Sequence, residues 1–188
     1  MRSSFLAGIV AAVCAAAATS SAHAQKVTLA TSAGDIVVEL NAAKAPKSVA
    51  NFLQYVKAGH YDGTVFHRVI ENFMIQGGGF FADLKERPTR APIPLESRNG
   101  ISNSRGTVAM ARTANPNSAT AQFFINVQDN AFLDAPLSPD GNGYAVFGTV
   151  VSGMDVVDRI RVVQTGNRGP YQNVPLQPVT LTKATIAP

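Results

Sequence analysis

The residues of this chain whose types could do chemistry are concentrated in two stretches. Residues 66–79 read FHRVIENFMIQGGG, and residues 106–126 read GTVAMARTANPNSATAQFFIN. Six of their residues are one cation, two amides and three large apolar side chains, namely Arg68, Gln76, Gln122, Phe73, Met74 and Phe124. A permanently charged guanidinium and two amides can make directed hydrogen bonds to a ligand in such a setting. Because Phe and Met on strands are often plain core and arginine is usually a surface cation, the residue types alone leave both interpretations open.

Other routes to catalysis have little support in the sequence. His60 and His67 are the two histidines after residue 24, and neither has a second ligand at metal-binding spacing. The triple glycine at 77–79 is followed by Phe, whereas a phosphate-binding loop requires Lys and then Ser or Thr. The chain has no Gly-x-Ser-x-Gly nucleophile elbow. The sequence therefore predicts no metal site, no cofactor and no covalent nucleophile.

Alternating apolar and polar residues predict the strands that must position these side chains. Residues 26–31 and 36–40 alternate on either side of a Ser-Ala-Gly-Asp turn, which predicts an opening β-hairpin. Short apolar runs predict six further strands, at 64–69, 73–76, 107–111, 122–126, 146–150 and 179–186. Simple alternation puts Arg68 with Phe66 on one face of a strand, and Met74 with Gln76 on one face of another.

Two segments have features of helices instead. Apolar residues recur at i, i+3, i+4 and i+7 from Val49 to Val56, which predicts a helix over residues 46–58 with Pro46 in its first turn. A second short helix is predicted at 154–161. Many short strands with only two helices favour a closed or sandwiched antiparallel sheet.

The first 24 residues have the three parts of a secretory signal peptide. The chain starts with a positive Met-Arg pair, continues with an uncharged apolar stretch at 5–18, and has an Ala-His-Ala exit at 22–24. The apolar stretch is shorter than the roughly 20 residues that a membrane-spanning helix needs. We therefore expect cleavage after Ala24, a mature domain over residues 25–188, and no membrane insertion after cleavage.

Composition limits what the mature domain can be. The one cysteine, Cys14, lies in the predicted signal peptide, so disulfides and thiol chemistry are not expected. Loss of Arg2 lowers the formal net charge from +4 to +3, and no basic block occurs, which argues against a nucleic-acid partner. The remaining residues suffice for one domain with a substantial core, and we expect a monomer.

The two stretches of the opening paragraph, followed by FLD at 132–134 and GYAVFGTV at 143–150, resemble the cyclophilin signature in order and spacing. The resemblance covers nearly all of residues 26–186. The GPYQNVP segment at 169–175 makes the chain most similar to the bacterial periplasmic cyclophilins. The resemblance implies a mainly β fold, a closed eight-stranded antiparallel β-barrel capped by two α-helices. It also implies a peptidyl-prolyl cis-trans isomerase that acts on proline-containing polypeptides and, with the signal peptide, assists the folding of exported proteins in the periplasm.

The resemblance also implies roles for individual residues. Arg68 stands at the catalytic arginine of the family, and Gln76 matches the polar residue beside it. The residues implied for the pocket that receives the proline ring are Phe73, Met74, Phe124 and Leu133, and Gln122 stands shortly before Phe124 as in the family. The rim segment, whose backbone anchors the peptide, is implied at Ala111, Arg112 and Thr113. Two substrate-site positions depart from many eukaryotic members, since Phe132 replaces a Trp and Tyr144 replaces a His. These departures leave the isomerase activity intact and put cyclosporin sensitivity in doubt.

Two classes of function stay open at this point. The first is an isomerase, and the second is a chaperone-like or scaffold module whose pocket only binds proline peptides. A catalytically silent relative would more readily have lost Arg68, which favours the enzyme. A purely structural barrel has only composition to support it. An isomerase assay on an Ala-Pro peptide discriminates between the first two.

Overall fold

The structure is a computed structural model that describes residues 25–187, so the predicted signal peptide at 1–24 lies outside it. Ten strands and two α-helices follow one another along these residues. They are β1 (Lys26–Thr31), β2 (Gly34–Leu40), α1 (Pro46–Lys57), β3 (Thr64–Ile70), β4 (Met74–Gly77), β5 (Thr107–Met110), β6 (Phe123–Asn126), β7 (Val146–Ser152), α2 (Met154–Arg161), β8 (Thr165–Arg168), β9 (Tyr171–Pro175) and β10 (Thr180–Ile186). A single 3-10 turn covers Ala131–Leu133.

Eight of the strands close into an antiparallel barrel in the order β1-β10-β3-β4-β6-β5-β7-β2. The opening hairpin pairs Val27 with Val38 and Leu29 with Ile36, and all four side chains are fully buried. Every second residue of a strand points to the same side, so this alternation sends one row into the core. The fold class predicted from the sequence is confirmed.

Large aromatic side chains join α1 to the barrel interior. The Phe52 ring of α1 lies 5.1 Å from that of Phe147, 5.6 Å from Phe123 and 5.1 Å from Tyr61, measured between ring centroids. All four residues are buried. Since burying one such side chain contributes about 1.5–3 kcal/mol, this cluster is a major part of what holds the helix on the barrel.

The start of α1 is capped by a residue from a distant loop. Pro46 occupies the first turn, and the Glu96 carboxylate accepts hydrogen bonds from the backbone N–H groups of Lys47 (3.0 Å) and Ser48 (2.8 Å) and from the Ser48 hydroxyl (2.7 Å). A carboxylate at this end satisfies free N–H groups and interacts favourably with the helix dipole.

No helix of residues 25–187 is long and apolar enough to cross a membrane.

The start of α2 requires a glycine. Gly153 precedes the helix with a φ of +87°, and a Cβ there would overlap the backbone carbonyl of Asp35. Only glycine combines a positive φ with the absence of a Cβ, so no other residue fits here without strain. The helix covers the predicted residues 154–161, whereas α1 ends one residue before the predicted boundary at 58.

The hairpin of β8 and β9 was not among the predicted strands. It forms a separate two-stranded sheet that packs beside β3. Its residues are mostly polar and at least partly exposed, so they lack the apolar alternation that identifies a strand in sequence. The hairpin is held by the Tyr171 ring, 5.2 Å from that of Phe80, and by Arg168, which donates to the Ala82 carbonyl over 2.7 Å.

His67 is buried where β3 meets the segment under this hairpin. Its side chain is 6% exposed, its ring lies 4.6 Å from that of Phe80, and its Nδ1 has no hydrogen-bond partner in the described chain. Burial penalises the charged imidazolium and lowers the pKa of His67 from 6.5 to about 4.

We predict that acidification destabilises the fold through His67. Between these two pKa values the unfolded histidine binds a proton and the folded one does not, so the free energy of unfolding falls as the pH falls. The expected loss from about pH 8 to about pH 5 is about 2 kcal/mol. Urea unfolding at a series of pH values measures it. The variant His67→Phe should have a flatter pH dependence, and an unchanged slope would show that His67 is not its source.

Candidate active site

A row of paired residues crosses four strands on the outer face of the barrel wall. Arg68 of β3 pairs with Gln76 of β4, Gln76 pairs with Phe124 of β6, and Phe124 pairs with Ala109 of β5. Directly paired residues of an antiparallel sheet point to the same side, so the four side chains form one continuous surface. Their neighbours along the strands, such as Ile125, point into the barrel core.

A β-bulge in β3 decides which side Arg68 faces. Phe66 pairs with Gly77 and Arg68 pairs with Gln76, so His67 is an extra residue without a partner of its own. Phe66 is 1% exposed in the barrel core, whereas Arg68 lines the outer surface. The prediction that alternation places these two on one face is therefore wrong, because one inserted residue reverses the alternation beyond it.

This outer surface forms one wall of an open cavity of about 200 Å³. Nine of the predicted site residues line it, namely Arg68, Phe73, Met74, Gln76, Ala111, Arg112, Phe124, Leu133 and Tyr144. Met74 and Gln76 share it, as predicted. The cavity is smaller than the roughly 300–1,000 Å³ of pockets for drug-sized ligands, and it suits a single side chain or ring. A larger open depression near Lys44 and Arg98 contains none of the predicted residues.

The floor of this cavity is apolar and well packed. Met74, Phe124 and Leu133 are 1%, 4% and 6% exposed and pack with Ala109 and Val146 in a cluster separate from the barrel core. A second small core therefore lies directly under the cavity. Because close-packed side chains transmit any change in volume, the floor holds a fixed shape.

Arg68 brings an unneutralised positive charge to the edge of this apolar floor. It is half-buried and makes no salt bridge within residues 25–187. Its Nη1 donates a long hydrogen bond of 3.4 Å to Gln76 Oε1, and its guanidinium carbon lies 6.0 Å from the Phe73 ring centre. Burial lowers the pKa of Arg68 because desolvation penalises the charged form. Arginine nevertheless stays protonated, with most of its five N–H donors free to bind a ligand.

Gln76 connects Arg68 to a second amide. Its Nε2 donates to Gln122 Oε1 over 2.9 Å while its Oε1 faces Arg68. Gln122 and Thr113 do not line the main cavity. They line a neighbouring cavity of about 170 Å³, together with Gln76, Ala111, Arg112, Glu86, Ser118 and Thr120. The backbone N–H and the hydroxyl of Thr113 both bond Ser118 Oγ, at 2.9 and 2.8 Å.

The Arg112 side chain holds together segments at the rim of the cavity. Its side chain is 3% exposed, donates to the Gly143 carbonyl over 2.9 Å and forms an ion pair of 2.6 Å with Asp140. The guanidinium carbon lies 4.5 Å from the centre of the Tyr144 ring. The backbone N–H of Asn142, and after it Arg112, hold the pKa of the Asp140 carboxyl well below its usual range. This side chain is therefore committed to the fold, in contrast with Arg68.

Comparison with known proteins assigns the family. The profile of the family "Cyclophilin type peptidyl-prolyl cis-trans isomerase/CLD" matches residues 26–186. A peptidyl-prolyl cis-trans isomerase of Streptomyces antibioticus is 61% identical over 161 residues, covering 85% of this chain and 97% of the relative. Peptidyl-prolyl cis-trans isomerase B of Escherichia coli K12 is 53% identical over 162 residues, covering 86% and 99%. The chain belongs to the cyclophilin family. It is a peptidyl-prolyl cis-trans isomerase, as the resemblance implied.

Solved cyclophilin structures have the same fold. A cyclophilin of Cryptosporidium parvum, crystallised in the presence of the dipeptide Ala-Pro, superimposes with a TM-score of 0.72 at 24% identity, covering 87% of this chain and 99% of that one. Cyclophilin AquaCyp293 of Hirschia baltica gives a TM-score of 0.69 at 25% identity, covering 86% and 73%. These likenesses agree with the barrel order found in this cyclophilin.

Phe132 lies at the rim of the main cavity and lines neither that cavity nor the neighbouring one. Its side chain is 51% exposed, and its ring stacks on that of Phe73 at 5.5 Å and 29°. Tyr144, the other departure from the family pattern, lines the main cavity with its ring edge-on to Phe124 at 5.6 Å. The structure therefore separates the two departures, one at the rim and one in the wall.

Three buried asparagines behind the cavity were not predicted as part of the site. Asn103, Asn126 and Asn130 are 0% exposed. Asn130 donates to the Phe73 carbonyl and to Asn126 Oδ1, each over 2.8 Å, and Asn103 donates to Asp134 Oδ1 over 2.8 Å. The network thus joins the segments that carry two cavity walls. An asparagine at the end of the otherwise apolar run FFIN was the signal available in the sequence.

Within residues 25–187, no three His, Cys, Asp or Glu side chains are grouped so that they could hold a metal ion.

Proposed function

We propose that this cyclophilin isomerises X-Pro bonds without covalent chemistry, with Arg68 favouring the twisted amide and the apolar floor clamping the proline ring. One observation supports this most directly. The guanidinium of Arg68, which has no carboxylate partner in the described chain, lines the same small cavity as the buried side chains of Met74, Phe124 and Leu133. The cavity therefore combines a hydrogen-bond donor with an apolar floor, in a volume that suits one ring.

The barrier to be lowered is that of rotation about a peptide bond. Resonance gives the C–N bond partial double-bond character and a barrier of roughly 18–20 kcal/mol. In the twisted state resonance is lost and the proline nitrogen gains a lone pair. A guanidinium N–H directed at that nitrogen binds the twisted state better than the planar one, which is differential binding of the transition state.

Arg68 alone does not account for a large rate enhancement. A thousandfold acceleration requires about 4 kcal/mol, whereas one charge-assisted hydrogen bond contributes about 1.5–3 kcal/mol. We assign the remainder to clamping of the ring by the floor and to removal of water, which favours the less polar twisted amide. Gln76 orients Arg68 and offers its amide to the rotating carbonyl. Phe73, Leu133 and Tyr144 enclose the ring, and the backbone of Ala111, Arg112 and Thr113 anchors the peptide.

We predict that Arg68→Ala lowers kcat/KM for an Ala-Pro peptide at least about tenfold, the size of one charge-assisted hydrogen bond. The unfolding temperature should change little, because Arg68 lines an open cavity and has no ion pair to lose. A protease-coupled or NMR exchange assay measures the rate. Arg159→Ala, which removes an exposed arginine of α2, is the matched control and should leave kcat/KM unchanged. Full activity in Arg68→Ala would remove Arg68 from the mechanism.

We propose that this isomerase acts on exported proteins after its own export to the periplasm. The support is the three-part pattern of residues 1–24 in the sequence. The barrel also begins directly after the expected cleavage point, since the Gln25 carbonyl accepts a hydrogen bond of 2.8 Å from the N–H of Leu40 and β1 starts at Lys26. Cleavage after Ala24 would therefore leave the paired strands complete.

We predict that the exported protein begins at Gln25. N-terminal sequencing and intact mass of protein from a periplasmic extract measure this. Replacing the small residue at the exit, as in Ala24→Leu, should slow or prevent cleavage because the processing site takes small side chains. A mature protein that starts at Met1, or that carries a lipid, would contradict the proposal.

We also propose that cyclosporin inhibits this cyclophilin weakly. Family members with Trp at the position of Phe132 have an indole N–H that can donate to the drug, and Phe keeps apolar surface without a donor. One neutral hydrogen bond contributes about 0.5–1.5 kcal/mol, which is up to roughly tenfold in affinity. A short substrate depends less on Phe132, because this residue lies outside the cavity that holds the ring.

We predict that Phe132→Trp tightens cyclosporin inhibition several-fold and leaves kcat/KM within a few-fold of the parent. Inhibition titrations under the conditions of the peptide assay compare the two proteins, with Leu137→Trp as the control because Leu137 is another exposed apolar residue of the 131–144 segment. Tight inhibition of the parent protein, or no gain with Phe132→Trp, would show that this position does not control the drug.

A further inference from the structure

Gly79 lies directly against the side chain of Gln122 at the edge of the active site. A Cβ on Gly79 would stand 2.5 Å from Gln122 Cγ and 2.7 Å from both Cδ and Nε2. Its φ is outside the left-handed region that favours glycine, so backbone conformation does not require glycine here. The requirement is space for Gln122.

The backbone around Gly79 is held in place and cannot retreat from an added methyl group. The Gly79 carbonyl accepts a hydrogen bond of 2.8 Å from the N–H of Arg87, and the next carbonyl, of Phe80, accepts one of 2.9 Å from Val65. Moving Gly79 would break these bonds in a buried segment, at a cost for each polar group left unpaired. The neighbour must therefore give way instead.

The Gln122 side chain can give way at small cost. Its backbone is anchored, because its carbonyl accepts from the N–H of Ala111 over 3.0 Å, but its side chain borders the neighbouring cavity of about 170 Å³. Rotation into that cavity relieves the overlap with a Cβ on Gly79. The same rotation breaks the hydrogen bond of 2.9 Å from Gln76 Nε2 to Gln122 Oε1.

We propose that Gly79 is a positioning residue for catalysis. Its lack of a side chain lets Gln122 lie where it accepts the hydrogen bond of Gln76, and this bond holds Gln76 Oε1 toward Arg68. Gly79 itself lines neither cavity, so it acts only through Gln122 and Gln76. The inference rests on the proposed role of Arg68 and extends it to the residues that orient this arginine.

The test begins with Gly79→Ala. We expect kcat/KM for an Ala-Pro peptide to fall about three- to tenfold, the effect of one lost neutral hydrogen bond. The peptide Kd, measured by NMR titration, should stay within about twofold, because the floor of the main cavity is untouched, and the unfolding temperature should shift by only a few degrees. Gly166→Ala is the matched control, since a Cβ there meets only the exposed side chain of Leu176, and its activity should equal that of the parent.

A double-mutant cycle with Gln122→Ala separates this role from a merely structural one. Once Gln122 is truncated there is nothing for the methyl group to displace, so Gly79→Ala should cause no further loss of kcat/KM in that background. An equal loss in both backgrounds, or no loss in the parent background, overturns the proposal. If Gly79→Ala alone fails to fold, recovery of folding in the Gln122→Ala background supports the proposal, and failure in both backgrounds overturns it.

The same set of variants distinguishes this inference from the proposed function. Full activity of Arg68→Ala would refute the role of the arginine itself. If Arg68→Ala and Gln122→Ala both lower kcat/KM while Gly79→Ala does not, the mechanism stands and only the positioning role of Gly79 is refuted.

Discussion

The bulge at His67 is the constraint on which the candidate active site of this cyclophilin depends. Strand β3 must supply Phe66 to the barrel core and Arg68 to the outer cavity, and two residues separated by one position would otherwise point the same way. One unpaired residue between them resolves this conflict. The same bulge buries the side chain of His67. Burial lowers the pKa of His67, so its imidazole stays neutral where an exposed histidine would be protonated.

The site combines a cation that has no counter-ion with surroundings that are kept rigid. Arg68 is half-buried without a carboxylate in the described chain, which leaves its donors for a ligand and makes their interaction stronger than in water. The other arginine of the cavity, Arg112, is fully engaged with Asp140, Gly143 and the Tyr144 ring. The buried residues Asn103, Asn126 and Asn130 form hydrogen bonds that connect the segments carrying the cavity walls. Arg112 is thus bound to its neighbours while most donors of Arg68 are unpaired, and this is the preorganisation that the proposed transition-state binding needs.

Local patterns in the sequence were enough to determine the secondary structure of the barrel and the identity of the family. The opening hairpin follows from alternation, α1 from helical spacing and the six further barrel strands from short apolar runs, because each of these patterns is local and does not depend on partners. The order and length of the FHRVIENFMIQGGG and GTVAMARTANPNSATAQFFIN motifs indicated the family, and these motifs contain seven of the nine residues that line the main cavity. The β8–β9 hairpin was missed because its polar residues carry no such period.

Only the tertiary structure decided which way the key side chains point and what they contact. The direction of Arg68 depends on how β3 pairs with β4, and a bulge leaves no trace in the alternation of a single strand. Three other features depend on contacts between residues more than 25 positions apart in the sequence. They are the hydrogen bond of Arg112 to Gly143, the stacking of Phe132 on Phe73 and the contact of Gly79 with Gln122. Composition and spacing along one chain report local periodicity. Pairing, burial and close approach are properties of two segments together, and the closed barrel is what brings those segments into contact.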